Sequence, residues 1–509
     1  YARQRYTGIS QTDAAGLYGT DDDRVPHAQP HSCNIAAATR DGRFLACPES
    51  RADMLGAWKQ VDMASESPHR ALLYLAVPLM ISLFFQNLYS FANTIFVSWL
   101  GERPLAAISL AVPLTYIALS LGKGVAMGSA VLMGHARGAG NNGEAEDMGR
   151  AVLPLMMAVM SVFLPLLWPA GCRWFYQQFG ASTALAEEAY WFTFWLVLSF
   201  PAMGYAMAAE AQLMAQGDTV TPMKGMIIGN VVNLLLDPLL IFVLNFGLTG
   251  AGMATLAGQV TGAMYLGWRY AVRQGRYMVF RPFTGLFGLS RRIIQQGAFV
   301  SAGYLVSPAG LMLMNGILSS LGEAAIGAWN MMSRIEMMVM LPVMGIGNAL
   351  ALFTGFNLGL GRYDRIRQCL VSFGRMAWSL AVPAAVVFLL WPEKLLGLFN
   401  PGSGVAELAA MAVRASAVAI IFIPVLFAFN GLAQGLKKPV YMVLVGFCYV
   451  IALRVPLAWL GSTYLGAHGV FWAHPAAAVG AALLSVPLAL KLLRQTAPVE
   501  DSSSLPGRQ

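Results

Sequence analysis

The chain has 509 residues, of which 57% are hydrophobic and only 11% charged, with a mean hydropathy of +0.59 and a formal net charge of +8. Soluble domains carry about 25% charged residues, so this chain has too little polar surface to face water on all sides. That excludes an ordinary soluble enzyme, a disordered chain, a collagen and a coiled coil. A spanning helix takes roughly 20 apolar residues. The composition therefore reads as a polytopic helical membrane protein, and the positive charge as loops on one side of a bilayer rather than a nucleic-acid surface.

In chain order, residues 1–69 are polar and irregular and read as a flexible tail, without the basic start and apolar run of a cleavable leader. Met63 opens a short lead into the first apolar run and is expected to be the physiological first residue. From Ala71 onward apolar stretches alternate with short loops bearing Gly, Pro or Arg. Twelve spans are expected, near 74–99, 106–134, 150–171, 188–213, 223–245, 250–272, 294–320, 325–356, 369–391, 407–432, 439–461 and 468–491, before a tail over 496–509. One set of loops carries Arg137, Arg150, Lys224, Arg269, Arg273, Arg276, Arg281, Arg291, Arg292, Arg362, Arg365, Arg367, Lys437 and Lys438. The other has Arg103, Arg173 and Lys394, with Arg414 near one edge. This asymmetry places the first set and both termini in the cytoplasm. Cys33, Cys47, Cys172, Cys369 and Cys448 have no paired spacing and suggest neither a disulfide framework nor a zinc site, and His31 beside Cys33 reads as accidental.

The chain contains two copies of one unit. Leu100-Gly101-Glu102 recurs as Leu321-Gly322-Glu323 at an offset of 221, and Gly124, Gly134, Gly138 and Gly140 fall on Gly345, Gly355, Gly359 and Gly361 at the same offset. Ala215-Gln216-Gly217 recurs as Ala433-Gln434-Gly435, and Pro238 as Pro456, both at 218. Six spans per copy make both enter the membrane in the same sense. The expected fold is an all-α membrane protein with 12 transmembrane helices in two parallel six-helix lobes, related by an axis along the membrane normal. The N-lobe would cover 70–283 and the C-lobe 284–495. Two lobes flanking a cleft suit a transporter, with a duplicated channel or enzyme scaffold as the other reading.

Further residues carry a family resemblance over about 70–490: Gln86-Asn87-Leu88-Tyr89 leading to Asn93-Thr94, Ala215-Gln216-Gly217-Asp218, Gly229-Asn230 through Asn233 to Leu236-Asp237-Pro238, and Gly250-Ala251-Gly252-Met253-Ala254-Thr255. In the second half Ala328-Trp329-Asn330, Arg334-Ile335-Glu336 and Gly355-Phe356-Asn357-Leu358-Gly359 continue it. The chain resembles the multidrug and toxic compound extrusion (MATE) family of secondary transporters. The resemblance implies export of amphipathic organic compounds, often cationic, driven by sodium or proton entry.

Asp237 is the most informative side chain. A carboxylate at mid-membrane costs about 2.5–3.5 kcal/mol on insertion scales and usually faces a cavity or a partner. Asn230, Asn233 and Asp237 share one helix face, and Pro238 can free an upstream carbonyl. Such oxygens suit a small hard cation or a proton relay; a helix–helix hydrogen bond is the plainer reading. The matching position in the second copy is Val455. The resemblance implies that Asp237, Asn233 and Thr255 form an N-lobe cation site, with Tyr190 as a further carry-over; Asp237 and Asn233 would be the metal ligands if sodium is the driver. Asn93 departs from the aspartate that most relatives place there. Lys123, midway along the second span, is expected either near Asp237, partly replacing a bound cation, or snorkelling into a watery vestibule. Glu210 reads as an attractor for cationic substrates or a solvated helix end.

In the C-lobe the position of a functional glutamate of some relatives holds Ser307, and no Asp or Glu lies between Leu408 and Val499. Arg334, Glu336 and Arg454 remain, as a brace between helices or a site for an anionic substrate, with Arg454 able to meet Glu336. Met331, Met332, Met337, Met338 and Met340 suit either adaptable binding or core filling. No Walker loop, H-E-x-x-H or G-x-S-x-G occurs, so no enzyme is expected, and no cofactor beyond the transported Na+ or H+. The expected function is secondary active efflux of small amphipathic organic compounds by alternating access in a bacterial inner membrane, as a monomer that binds no nucleic acid. Moving one charge through 100 mV supplies about 2.3 kcal/mol, enough for roughly 50-fold concentration. The alternative is a flippase of the related superfamily for lipid-linked oligosaccharides, with Arg334 and Arg454 on a pyrophosphate. A channel or receptor is a third class.

Overall fold

The computed structural model describes residues 60–178, 180–274, 278, 285–399 and 402–496. The expected tail before Gln60, the lobe boundary at 283 and 284, most of the C-terminal tail, His31, Cys33, Cys47, Arg276 and Arg281 lie outside them. Among the described residues the secondary structure is helical throughout, as lipid requires: a spanning backbone without water must satisfy its own amide and carbonyl groups.

The helices of the first half are α1 Pro68–Ser98, α2 Glu102–Gly138, α3 Asn142–Ser161, α4 Pro169–Gln178, α5 Thr183–Met214, α6 Val220–Pro238 and α7 Gly247–Gln274. The second half holds α8 Leu286–Ser319, α9 Glu323–Gly359, α10 Tyr363–Leu390, α11 Pro392–Leu396, α12 Ser403–Gly435, α13 Val440–Phe447, α14 Val455–Leu465 and α15 Ala467–Thr496. Ten segments among the described residues are long and apolar enough to cross a membrane. Helices α3 and α7 take the other two spanning positions. Glu144, Glu146, Asp147 and Arg150 dilute the apolarity of α3; in α7 glycines, Thr249, Thr255, Gln259 and Thr261 do so.

Two expected spans are not single helices. The third stops at Ser161, passes through a 3₁₀ turn at Leu164–Leu167 and resumes as α4, because Pro165 and Pro169 cannot donate backbone hydrogen bonds. The eleventh is α13 and α14 joined by a π-helical stretch, Cys448–Arg454, whose wider turns lead into Pro456. A second π segment, Leu239–Val243, follows Pro238 at the end of α6.

The repeated Leu-Gly-Glu has a local cause. Gly101 and Gly322 precede α2 and α9 at φ +113° and +100°, where a side chain would be strained. Glu102 and Glu323 then sit in the first turns, favoured by the helix dipole.

The two halves meet along a seam with the predicted pseudo-two-fold symmetry. A Cβ on Gly138 would collide with the Phe356 carbonyl, and one on Gly359 with the His135 carbonyl; each pair maps onto the other at the offset of 221. Likewise Gly124 packs on Ser301, and Gly345 on Met80, again exchanged by 221. Backbone therefore touches backbone between lobes, as small residues allow. Past this seam both helices, α2 and α9, are less covered. On α2 the stretch from Gly124 to Met133 is buried, whereas Ser109, Val112, Tyr116 and Ile117 are exposed; on α9 Gly345 to Phe353 is almost wholly buried, whereas Arg334, Met337 and Met338 are exposed.

Residues 60–66, expected within the flexible tail, instead cross the closed end. The Val61 amide donates to the Gly217 carbonyl (3.2 Å), and Gln60 Nε2 to that of Gln216 (2.7 Å). On the other lobe Asn357 Nδ2 and Arg365 each donate to the Met63 carbonyl (both 3.2 Å), and Arg362 to that of Ala64 (2.9 Å). Val61 and Met63 are buried.

Candidate functional site

Helices α6 and α7 build the N-lobe site. Val231, Leu234 and Leu235 occupy the exposed side of α6, and Asn233 and Asp237 the buried side. The glycines of α7 let the two helices close on each other: a Cβ on Gly258 would stand 2.7 Å from the Gly229 carbonyl and 2.9 Å from the Asn233 Cβ. This contact fixes Asn233 against α7. Its Nδ2 donates to Thr255 Oγ1 (3.4 Å), while Thr255 donates to the Ala251 carbonyl (3.0 Å). With the Thr255 proton so engaged, Tyr89 of α1 is the donor across its 3.4 Å contact to Thr255 Oγ1. Tyr89 also lies beside the Asn93 side chain and within the field of Asp237.

The structure thus brings Asn93, Asn233, Thr255 and Asp237 together, and adds Tyr89, which was legible only as part of the Gln86–Tyr89 run. Asp237 is fully buried, and neither of its carboxylate oxygens has a hydrogen-bond partner. Asn233 Oδ1 and Asn93 Oδ1 are likewise buried acceptors without donors. Four unpaired acceptor oxygens, one pair carrying a charge, form the donor set a proton or small hard cation requires.

Tyr190 is placed elsewhere. Its hydroxyl donates to the Leu167 carbonyl (3.2 Å), the Arg173 guanidinium lies 5.6 Å from its ring, and Trp191 packs edge-on against it.

Lys123 departs from its expected neighbour. Its Nζ donates to Gln86 Oε1 of α1 (2.9 Å), and the carboxylate whose charge reaches it is Glu210 of α5; no lysine field acts on Asp237. Lys123 and Asp237 lie on different helices, and the Lys123 side chain leaves α2 towards Gln86 and α5. Glu210 also acts on Tyr304 of α8, and all four side chains are half-buried.

The C-lobe holds a second polar network. Glu336 Oε2 accepts from Ser416 Oγ of α12 and from His474 Nε2 of α15 (2.9 Å). Tyr449 Oη stands 3.4 Å from His474 Nδ1. Arg454 acts on Glu336 only through its field; its guanidinium lies 5.4 Å from the Tyr449 ring centroid and 6.0 Å from that of Trp329. Arg334 is exposed and joins no ion pair among the described residues. Sequence reading passed over His474, although an imidazole inside a last span without acids was itself a signal.

The family profile described as MatE matches residues 78–239 and 301–460, one block in each lobe. An "FAD transporter" of Shewanella oneidensis is 25% identical over 429 residues, covering 80% of this chain and 91% of that protein. A "probable multidrug resistance protein NorM" of Thermotoga maritima is 22% identical over 407 residues, covering 78% and 86%. Among solved structures, the outward-facing conformation of a multidrug resistance MATE family transporter of the MOP superfamily superposes with a TM-score of 0.81 at 21% identity. It covers 86% of this chain and 98% of the other, a likeness of fold.

Proposed function

The chain belongs to the MatE family, and from that premise we propose that this multi-pass membrane protein is a secondary antiporter. It exports small amphipathic organic compounds, driven by cation entry at Asp237. The observation that carries the reading is the buried Asp237 carboxylate with both oxygens unpaired, on the same helix face as the unpaired Asn233 oxygen. A bare carboxylate there is unfavourable until a proton or sodium ion neutralises it, so cation binding and burial are linked. Asn93 removes the second carboxylate. One carboxylate is neutralised by one proton without further ligands, which favours protons over sodium. Relatives named for FAD transport and multidrug resistance support organic substrates with aromatic parts. The arginine-rich loops support a closed seam on the cytoplasmic side, with the less covered halves of α2 and α9 facing outward and rocking about the seam alternating access. The protein acts as a monomer.

Everted vesicles with proton and sodium gradients imposed separately test this. The proton gradient is expected to drive substrate accumulation, and D237N to lower it about tenfold or more at equal expression, a loss of at least one RT ln 10 of coupling. Undiminished gradient-driven transport by D237N overturns the assignment. Drive by sodium alone replaces the proton with sodium.

A further inference from the structure

Helix α2 changes character at one point. Gly124 and the residues after it are buried at the interlobe seam, and Tyr116 and Ile117 before it are exposed. Lys123, half-buried, immediately precedes the buried stretch and shares a helix face with exposed Tyr116, seven residues earlier. The next residue, Gly124, packs on Ser301 of α8, and Tyr304 lies one helical turn beyond Ser301 towards the less covered end.

The Lys123 ammonium is held by a neutral partner, the Gln86 amide oxygen, at 2.9 Å. It makes no ion pair among the described residues, and neither does Glu210, whose carboxylate acts on it only at longer range. A half-buried ammonium without a carboxylate in contact is costly to place in a membrane protein. It is also the kind of group that gains most from a ligand bringing its own negative charge.

We propose that Lys123, Gln86 and Tyr304 form a subsite for the anionic group, carboxylate or phosphate, of an amphipathic aromatic substrate. The anion docks on the Lys123 ammonium with the Gln86 amide nitrogen as second donor, and the substrate's ring lies against Tyr304. The groups facing Lys123 are Gln86 from α1, in contact, and Glu210 from α5 at longer range, with Tyr304 of α8 within the field of that same carboxylate. Of these only Glu210 opposes an anion, and it keeps the local charge balanced when no substrate is present. The inference rests on the reading that the cleft binds organic substrates, but not on how transport is powered.

Equilibrium binding to the purified full chain, with no gradient, tests it by fluorescence anisotropy. The probes are carboxyfluorescein (carboxylate), flavin mononucleotide (phosphate) and ethidium (cation). K123Q is expected to weaken one or both anionic probes about tenfold and to leave ethidium within about twofold. K123R should restore most anion binding, and E210Q should tighten it. Loss confined to one anionic probe identifies which group the site takes. Equal weakening of all three probes by K123Q, no saturable anion binding by the wild type, or anion affinity unchanged in both K123Q and E210Q overturns the proposal. Should K123Q fail to fold, E210Q alone decides by the sign of its effect. Failure of gradient-driven efflux in D237N variants would leave these binding results unaffected, so the two readings fail separately.

Discussion

At the scale of single residues, two carboxylates within the helices, Asp237 buried and Glu336 half-buried, meet opposite fates. Asp237 has no donor on either oxygen, whereas Glu336 accepts from Ser416 and His474. A satisfied carboxylate in low dielectric braces the helices it joins, here α9, α12 and α15, while an unsatisfied one is poised to bind. H474A should leave Glu336 short of a donor and destabilise the C-lobe by about 1–3 kcal/mol. The thermal midpoint of the purified protein would fall. Adding E336Q should recover much of that loss, because a neutral amide needs no charged partner. If the double variant unfolds at the same temperature as H474A, the brace does not work through the Glu336 charge. Lys123 shows the third possibility, an ammonium on a neutral partner.

At the scale of elements, glycine pairs and one extended segment set the architecture. The close approach of α6 and α7 at Gly229 and Gly258 brings Asn233 to Thr255, so the candidate cation site depends on missing side chains as much as on those present. The segment 60–66 depends on Arg365, which donates to the carbonyls of Met63 and Glu66 and to Asn357 Oδ1. R365A should free it, and a cysteine at Met63, now buried, should react with a maleimide several-fold faster. An unchanged rate would mean that Arg365 does not hold the segment. Asp62 adds a pH dependence. The Ser65 hydroxyl, then the Ala64 and Ser65 amides and the Arg365 charge, hold its carboxyl below the ordinary value of 3.8 against a smaller opposing desolvation. A lowered value means its contribution is complete above that ordinary value and disappears as pH falls through the lowered one. The Val61 amide, bonded to the Gly217 carbonyl, should therefore lose its protection from hydrogen exchange only at more acid pH than 3.8.

At the scale of the molecule, symmetry-exchanged contacts, Gly138 on Phe356 with Gly359 on His135 and Gly124 on Ser301 with Gly345 on Met80, close one end of the cleft. Glycine contacts make the seam dense, and the side chains that cross it, Arg292 to Glu144 (2.6 Å) and Lys437 to His135 (3.1 Å), must separate when it parts. Segment 60–66 reaches both lobes at that same end, so it too must yield when the seam opens. S301C, at a position 3% exposed, should label slowly at rest. It should label several-fold faster from the arginine-rich side when substrate and gradient are supplied. A rate indifferent to both would mean that the seam stays shut during the cycle.

The helical membrane class, the approximate positions of the spans, the duplication and the shared helix face of Asn233 and Asp237 were legible in the amino-acid sequence, whereas Thr255, on the next helix, joined them only through the family resemblance. The legible features follow from local patterns: apolar runs of spanning length, a recurring glycine order, and residues spaced along one helix face. Breaks at Pro165, Pro169 and Pro456 were visible as residues, but their outcome, a 3₁₀ turn in one case and a π segment in the other, depended on packing. Only the tertiary structure decided that Lys123 sits with Gln86 and Glu210 rather than Asp237, that Tyr190 turns to Leu167 and Arg173, and that residues 60–66 cross both lobes. It alone joined Glu336 to His474, 138 positions apart. Periodicity says which face a side chain occupies, but helix packing chooses the neighbour that meets it, and these pairings join residues on different helices.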